Sequence, residues 1–435
     1  MNVLETSLRI AIDLTPLRAG GENGGAKHLV LALLKQFQVL APNYYFLILT
    51  APWNHLELAQ FDGNNTERLL ISDLETKNSK GYVLSSFSRL IQKIVNKSNF
   101  LSNLNNKIVA KSNFFSKLIQ KIADKLFPSI SPLKKRNINL LFCPFSAPTY
   151  AEKDIPLVAI VYDLQHLDYP FFFASQEKQH RTKFLIDLLQ KSKKIICISD
   201  FTRQSLITHF QASQQQLSVV SISIHNRLNK TSESTTIELC RRLGLENRKY
   251  AFYPANYWQH KNHRVLLTAY GIYKRQFPHQ SLDLVFTGEL KHEENQLKEI
   301  VSAMGLSGNV HFLGFLNEDE LASVWQNSEC LVFPSLYEGF GIPVLESMRF
   351  GKPVLSSNAG SLPEVAGDAA IYFDPRKPHE IALCLTKISS DPLLFNELIE
   401  KGYQRLKLFN DEEMSRKYLD IFETEAVNLP TQTLN

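Results

Sequence analysis

The sequence predicts an α/β protein with two similar halves, each built on a doubly wound parallel sheet. Three observations predict it. Short apolar, strand-like runs alternate with helix-like stretches along most of the chain. A glycine-rich loop follows the first strand and leads into a helix, the opening of a doubly wound domain. The chain, at 435 residues, is also too long for one ordinary core. Its composition, 44% hydrophobic and 21% charged, is that of a globular protein.

In chain order, "SLRIAIDLTPL" reads as a short buried strand, and "RAGGENGGAKHLVLALLKQFQVL" as a glycine-rich loop running into an amphipathic helix. Further strands are expected at "YYFLILT", "LLFCPF", "PLVAIVYDL", "KIICIS" and "LSVVSIS", completing a first domain over residues 1–225. The polar run "NRLNKTSESTT" then marks a linker, assigned to residues 226–240. A second strand set, "YAFYPA", "LDLVFTG", "NVHFLGF", "CLVFPS", "PVLSSN" and "AAIYFDP", with helices such as "HRVLLTAYGIYKRQF" between, gives a second domain over 241–410. The stretch 411–435 is expected to form a helix that packs back on the first domain. In such sheets ligands bind outside the carboxyl ends of the strands, so two facing halves would place the site in the crevice between them.

The net charge of +5 is unevenly spread. Residues 90–136, within an insertion expected at 85–137, hold ten Lys or Arg against the single acid Asp124. Lysines interleaved with Leu, Ile and Phe suggest helices with one cationic and one apolar face, which suit either an anionic membrane surface or packing on their own domain. Nucleic acid is not expected, because few aromatics other than Phe accompany the charge and no recognition motif occurs. The five cysteines are scattered without metal-ligand spacing and read as free thiols in a reducing compartment. No secretory signal and no stretch long enough to cross a bilayer is evident, so the expected location is cytoplasmic, with room for attachment to a membrane surface.

The chemistry concentrates in "FPSLYEGFGIPVLESMRFGKPVLSSNAGSLPEV", residues 333–365. "CLVFPS" ends a strand, Gly339 and Gly341 break any helix begun before them, and Pro343 suits the first turn of a new one. Glu338 is therefore expected in a turn, and Glu346 in the first turn of the following helix. That helix N-terminus offers free N–H groups and a positive dipole end, which suit phosphate. A carboxylate on each side can accept hydrogen bonds from hydroxyls. Taken singly, Glu346 reads better as a partner of its own helix dipole and Glu338 as a solvated turn residue; together they describe a nucleotide sugar.

The stretches "PSLYEGFGIPVLE", "GKPVLSS" and "GSLPEVAGDAAIYFDP", in that order, resemble the retaining glycosyltransferases of family 4, the glycosyl transferases group 1. The resemblance extends upstream through "NVHFLGFLNEDELASVW" and covers roughly residues 250–380. It implies the GT-B architecture, two facing doubly wound, Rossmann-like domains with an interdomain cleft. It also implies that Glu338 contacts the donor hexose and that Glu346 binds the ribose. The amides around Gly339, Phe340 and Gly341 would face the sugar and diphosphate, and Phe315 would lie beside the nucleobase. In "YPANYWQHKNH", Lys261 matches the family's diphosphate lysine, while Ala255 or Asn256 stands near the expected arginine, leaving Arg264 to assist. "GGENGG", ending at Gly25, fits the glycine loop that approaches the diphosphate and acceptor.

"VAIVYDLQHLDYPFFF" resembles the family's strand ending in His-Asp-Leu, with Tyr162 at the histidine position, then Asp163, and His166 three residues on. Asp163 and His166 are the remaining polar candidates near the reacting centre. Without an enzymic nucleophile, a retaining transfer can proceed on the donor face, the leaving phosphate deprotonating the acceptor. No Asp-x-Asp and no His or Cys cluster occurs, so neither a metal nor any other cofactor is expected. The implied activity is transfer of a hexose, with a lean toward mannose, from a nucleotide sugar to a glycan or lipid-linked acceptor in polysaccharide or lipopolysaccharide synthesis. Rivals on the same fold are an epimerase, a glycogen-synthase-like enzyme, or an inactive nucleotide-sugar-binding scaffold.

Overall fold

The computed structural model describes residues 8–18, 24–72, 132–278, 281–289 and 291–426. The basic insertion proposed to meet a membrane falls almost wholly outside these residues, as does most of the "GGENGG" loop before Gly24. Among the described residues, no helix is long and apolar enough to cross a membrane.

The described strands form two parallel sheets. The first contains β1 (Arg9–Asp13), β2 (Tyr45–Thr50), β3 (Thr66–Leu70), β4 (Leu140–Cys143), β5 (Leu157–Val161), β6 (Lys194–Cys197) and β7 (Leu217–Val219), in the order β3-β2-β1-β4-β5-β6-β7. The second contains β8 (Tyr250–Pro254), β9 (Asp283–Thr287), β10 (Val310–Phe312), β11 (Cys330–Phe333), β12 (Val354–Ser357) and β13 (Ala370–Phe373), in the order β10-β9-β8-β11-β12-β13. The central strands are apolar throughout rather than alternating, as expected where helices cover both faces. Every residue of β4, β5, β9 and β11 is buried.

The helices are α1 (Gly24–Leu40), α2 (Gln165–Asp168), α3 (Ser175–Lys191), α4 (Asp200–Phe210), α5 (Glu233–Arg242), α6 (His263–Gln276), α7 (Lys291–Ala303), α8 (Glu318–Asn327), α9 (Ile342–Arg349), α10 (Leu362–Ala366), α11 (Pro378–Ser390), α12 (Pro392–Leu406) and α13 (Asp411–Glu425). Local chemistry fixes several of their starts. Ser199 caps α4 by accepting from Thr202 N–H, and Asn317 and Glu320 form a reciprocal capping box on α8. Part of the expected linker is helical instead: Ser232 caps α5 by accepting from Thr235 N–H, so the Ser and Thr of "TSESTT" start a helix rather than only separating domains. The C-terminal α13 packs Tyr418 and Phe422 on Phe37 of α1, with ring centroids 6.4 and 5.6 Å apart.

Two compact units share these elements, one of residues 1–20, 42–157 and 425–435, the other of 21–41 and 158–424. All the residues discussed as a candidate site belong to the second. In the second sheet the strand order reverses between β8 and β11. The loops leaving those two strands carry Lys261 and Glu338, which puts both at the switch point where doubly wound sheets bind ligands.

Candidate functional site

Glu338 occupies the turn between β11 and α9, and Lys261 the turn after β8. Lys261 Nζ donates to Glu338 Oε1 at 2.6 Å, and little of either side chain is exposed. Burial on its own would raise the Glu338 carboxyl, but the charge of Lys261, with His260 and hydrogen bonds from Lys261 and Ser335, outweighs it and holds the group below its ordinary value. Burial, and then the positive charge of Lys261, press His260 down to about 4, so that imidazole stays neutral near pH 7.

The backbone around Glu338 is tightly constrained. A side chain on Gly339 would overlap the carbonyl oxygen of Tyr162, and Ser199 Oγ donates to Gly339 O at 2.7 Å. Gly341 has φ +103°, a left-handed conformation that favours glycine, and Leu362 closes the space a side chain would need. Ser361 Oγ donates to the carbonyls of Glu338 and Phe340 at 3.0 and 2.9 Å, fixing the turn from below. Phe340 turns its ring into the core against Phe409. Gly25, in the first turn of α1, lies so close to Ile342 at the start of α9 that a Cβ there would stand 2.5 Å from Ile342 Cδ1. The N-termini of α1 and α9 therefore converge beside the Glu338 turn, each with the positive end of its dipole.

Glu346 lies deeper than expected. Helix α9 begins at Ile342, so Glu346 is its fifth residue, one turn beyond the predicted position. It is 2% exposed, and Arg227 donates to its Oε1 from Nε at 2.8 Å and Nη2 at 2.7 Å. Oε2 has no hydrogen-bond partner among the described residues. Arg227 sits in the polar run read as a linker, and no motif flags it. It also bears on α1: burial, then the charges of Arg227 and Lys27, lower His28 to about 4.

Asp163 joins the group. Its Cβ flanks Gly339, it lies within electrostatic reach of Glu338 and Lys261, and its Oδ1 accepts from Gln165 N–H at 3.0 Å. His166 does not join it. It is 3% exposed on α2, meets Phe173 edge-on, and its Nε2 makes no hydrogen bond; burial lowers its pKa. Arg264 points elsewhere, its Nη2 donating to Gln296 Oε1 at 2.8 Å. Phe315 follows the left-handed Gly314 and is 65% exposed, free to present its ring. Asn256, near the expected arginine, accepts from Glu289 N–H instead.

Two further residues hold the turn in place. Leu164 N–H donates to Tyr337 Oη at 3.1 Å, and Glu364 of "GSLPEV" accepts from the N–H groups of Asp200 and Phe201 at 2.7 and 3.0 Å. Glu364 thus caps α4 across 164 residues of sequence.

Residues 238–405 match the family model of the glycosyl transferases group 1. The O-antigen chain mannosyltransferase B of Escherichia coli is 26% identical over 266 residues, 61% of this chain and 70% of that protein. The MMP alpha-(1->4)-mannosyltransferase of Mycolicibacterium hassiacum is 26% identical over 238 residues, 53% of this chain and about half (54%) of that protein's own length. Among solved structures, Anabaena HepE in complex with UDP and glucose superposes with a TM-score of 0.64 at 17% identity, covering 96% of this chain and 100% of that one. The chain thus has the GT-B fold, and its residues 238–405 match the glycosyl transferases group 1.

Proposed function

We propose that this protein is a retaining hexosyltransferase that moves a hexose from a nucleotide sugar to a glycan or lipid-linked acceptor, with mannose the favoured sugar. The observation that carries the reading is the pair formed by Lys261 and Glu338 at the sheet's switch point, beside two converging helix N-termini. The amides and Lys261 would neutralise a diphosphate, metal-independently, and Glu338 would accept from hexose hydroxyls. Free Oε2 of Glu346 would accept from a ribose hydroxyl while Arg227 holds Oε1. Asp163 would orient the acceptor or the reacting sugar. The lean toward mannose and toward polysaccharide or O-antigen synthesis rests on the names of the sequence relatives, mannosyltransferases with only part of their length matched. A cytoplasmic setting, at or near the membrane when the acceptor is lipid-linked, is part of the same reading.

Thermal unfolding of the purified protein with UDP-, GDP- and ADP-sugars tests it, because a ligand that binds the native state raises Tm. One nucleotide class should stabilise wild type, and Glu338→Gln should lose the extra shift given by the sugar while keeping that given by the free nucleotide. No shift with any nucleotide would turn the reading toward an inactive scaffold.

A further inference from the structure

The first turn of α4 grips the candidate site from behind. Ser199, fully buried, donates its one hydroxyl proton to Gly339 O at 2.7 Å and accepts from Thr202 N–H at 3.1 Å. Thr202, also fully buried, donates from Oγ1 to Tyr162 O at 3.3 Å. The two segments so held already touch, since a Cβ on Gly339 would overlap the Tyr162 oxygen. Glu338 precedes Gly339 and Asp163 follows Tyr162. One helical turn therefore holds the main chain one residue away from each of the two carboxylates.

Glu364 fixes that turn. From α10 its two carboxylate oxygens accept from the N–H groups of Asp200 and Phe201 at 2.7 and 3.0 Å, the amides that lie ahead of the one Ser199 caps. A charged acceptor at the positive end of a helix makes stronger bonds than a neutral one. Glu364 is braced in turn. Arg405 of α12 donates from Nε to Val365 O at 2.9 Å and from Nη2 to Glu364 O. Ser361, at the head of α10, donates to the carbonyls of Glu338 and Phe340. The short helix α10 thus holds the Glu338 turn with one side chain and α4 with another.

We infer that Glu364 is a positioning residue for the transfer reaction, setting the spacing between Glu338 and Asp163 through α4 without touching substrate, an inference that rests on the glycosyltransferase reading above. A purely stabilising role would need only that α4 be capped, which Ser199 does by itself. The carboxylate adds direction. Two acceptor oxygens on one planar group fix the angle of the helix as well as its distance, and the helix carries that angle to Gly339 O and Tyr162 O. Because reacting groups tolerate little displacement, a small rotation of α4 is felt at both carboxylates.

The test uses the full chain and the UDP-, GDP- or ADP-sugar that raises its Tm most, following release of nucleoside diphosphate with water and a mixture of oligosaccharides as acceptors. Glu364→Gln keeps one acceptor oxygen and turns an amide NH2 against the other N–H, and Ser199→Ala breaks the link from α4 to Gly339. Each should lower kcat about ten- to a hundredfold, with the donor KM within about twofold of wild type and the nucleotide-induced rise in Tm unchanged. Tyr270→Phe is the control for stability, since it removes a buried hydrogen bond to Leu282 O on α6, and it should lower Tm at unchanged kcat. A fall in Tm without a fall in kcat in the Glu364 and Ser199 variants, or a donor KM that rises in step with the loss of kcat, overturns the positioning role. Release of no nucleoside diphosphate by wild type from any donor would instead overturn the glycosyltransferase reading on which it stands.

Discussion

Arg227 directs two N–H donors at a single oxygen of Glu346, Oε1, at 2.8 and 2.7 Å, across 119 residues of sequence. The carboxylate is buried and the guanidinium mostly so, which means that removing either partner strands the other's charge. Breaking such a pair from one side costs about 3 kcal/mol or more, whereas replacing both costs much less. Glu346→Gln and Arg227→Met should each lower stability by roughly this amount, and the double variant by clearly less than the sum. Denaturant titration of the four proteins reads the coupling. Additive losses would mean that the pair is not an energetic unit. The same logic limits Glu346→Ala as a probe of ribose binding, because lost stability would masquerade as lost affinity.

Lys261 and Arg264 are three residues apart, yet the structure gives them different work. Lys261 pairs with Glu338, while Arg264 bonds Gln296 on the outer surface. Lys261→Ala should cut kcat by about 10²–10³, the usual loss when one preorganised electrostatic group is removed. Arg264→Ala should stay within about threefold of wild type, as for surface changes worth under 1 kcal/mol. Activity should survive chelation by EDTA if Lys261 takes the place of a metal. Steady-state kinetics on the two variants, with and without chelator, decide it. A large loss in Arg264→Ala would return that residue to the diphosphate.

The fold was legible where physics is local. Alternating apolar runs marked twelve strands, and the glycines of "EGFG" marked a turn because close approach to Tyr162 and a positive φ leave room for nothing larger. The strand β3 was not legible: Thr66–Leu70 carries Glu67 and Arg68 on an edge of the sheet, so its pattern reads as polar surface. Arg227 stayed hidden for a related reason, since a cation in a polar run carries no mark of a partner over a hundred residues away. His166 misled in the opposite sense. Its place near Asp163 in sequence suggested chemistry, but α2 turns it inward beside Phe173.

Three histidines near the site should make the protein acid-sensitive. Burial first, and neighbouring cations next, lower His28 and His260 to about 4 and His263 to about 3, against an ordinary 6.5. The unfolded chain therefore takes up these protons at a higher pH than the native state does. Their stabilising contribution is complete above pH 6.5 and is lost as pH falls toward 4, at up to about 1.4 kcal/mol per pH unit for each group. Unfolding free energy measured from pH 7 to 5 should fall steeply, and His28→Gln should flatten the slope. An unchanged slope in the variant would remove His28 from the account.

Asp13 acts in the opposite direction. Burial, only partly offset by hydrogen bonds from Thr15 Oγ1 and N–H, raises its carboxyl to about 6, and Oδ2 has no partner. A native pKa above the unfolded value means that the group costs stability above pH 6 and that the cost fades as pH falls from 6 to 4. Asp13→Asn keeps an oxygen for Thr15 and removes the buried charge. It should stabilise the protein at pH 7 to 8, on the order of 2 kcal/mol, and should lose that advantage near pH 4. Denaturation midpoints at pH 8 and pH 4 give the comparison, and a gain that persists at pH 4 would point to packing rather than charge.

Gly339 joins the two sides of the site through its lack of a side chain. Its Cα faces the Tyr162 carbonyl, its own carbonyl accepts from Ser199 Oγ at 2.7 Å, and Asp163 lies alongside. An added methyl would meet backbone, which cannot rotate away as a flexible side chain can, so the turn bearing Glu338 must move off the 162–163 strand end. Overpacking of this kind costs about 1–3 kcal/mol. A displacement of about 1 Å at a reacting group can cost about a hundredfold in rate. Gly339→Ala should therefore lose far more kcat than stability explains, whereas Gly308→Ala, where open space surrounds the Cβ, should change neither. If Gly339→Ala keeps wild-type kcat, the close approach of Asp163 and Glu338 is not needed for turnover, and Asp163 drops out of the reacting centre.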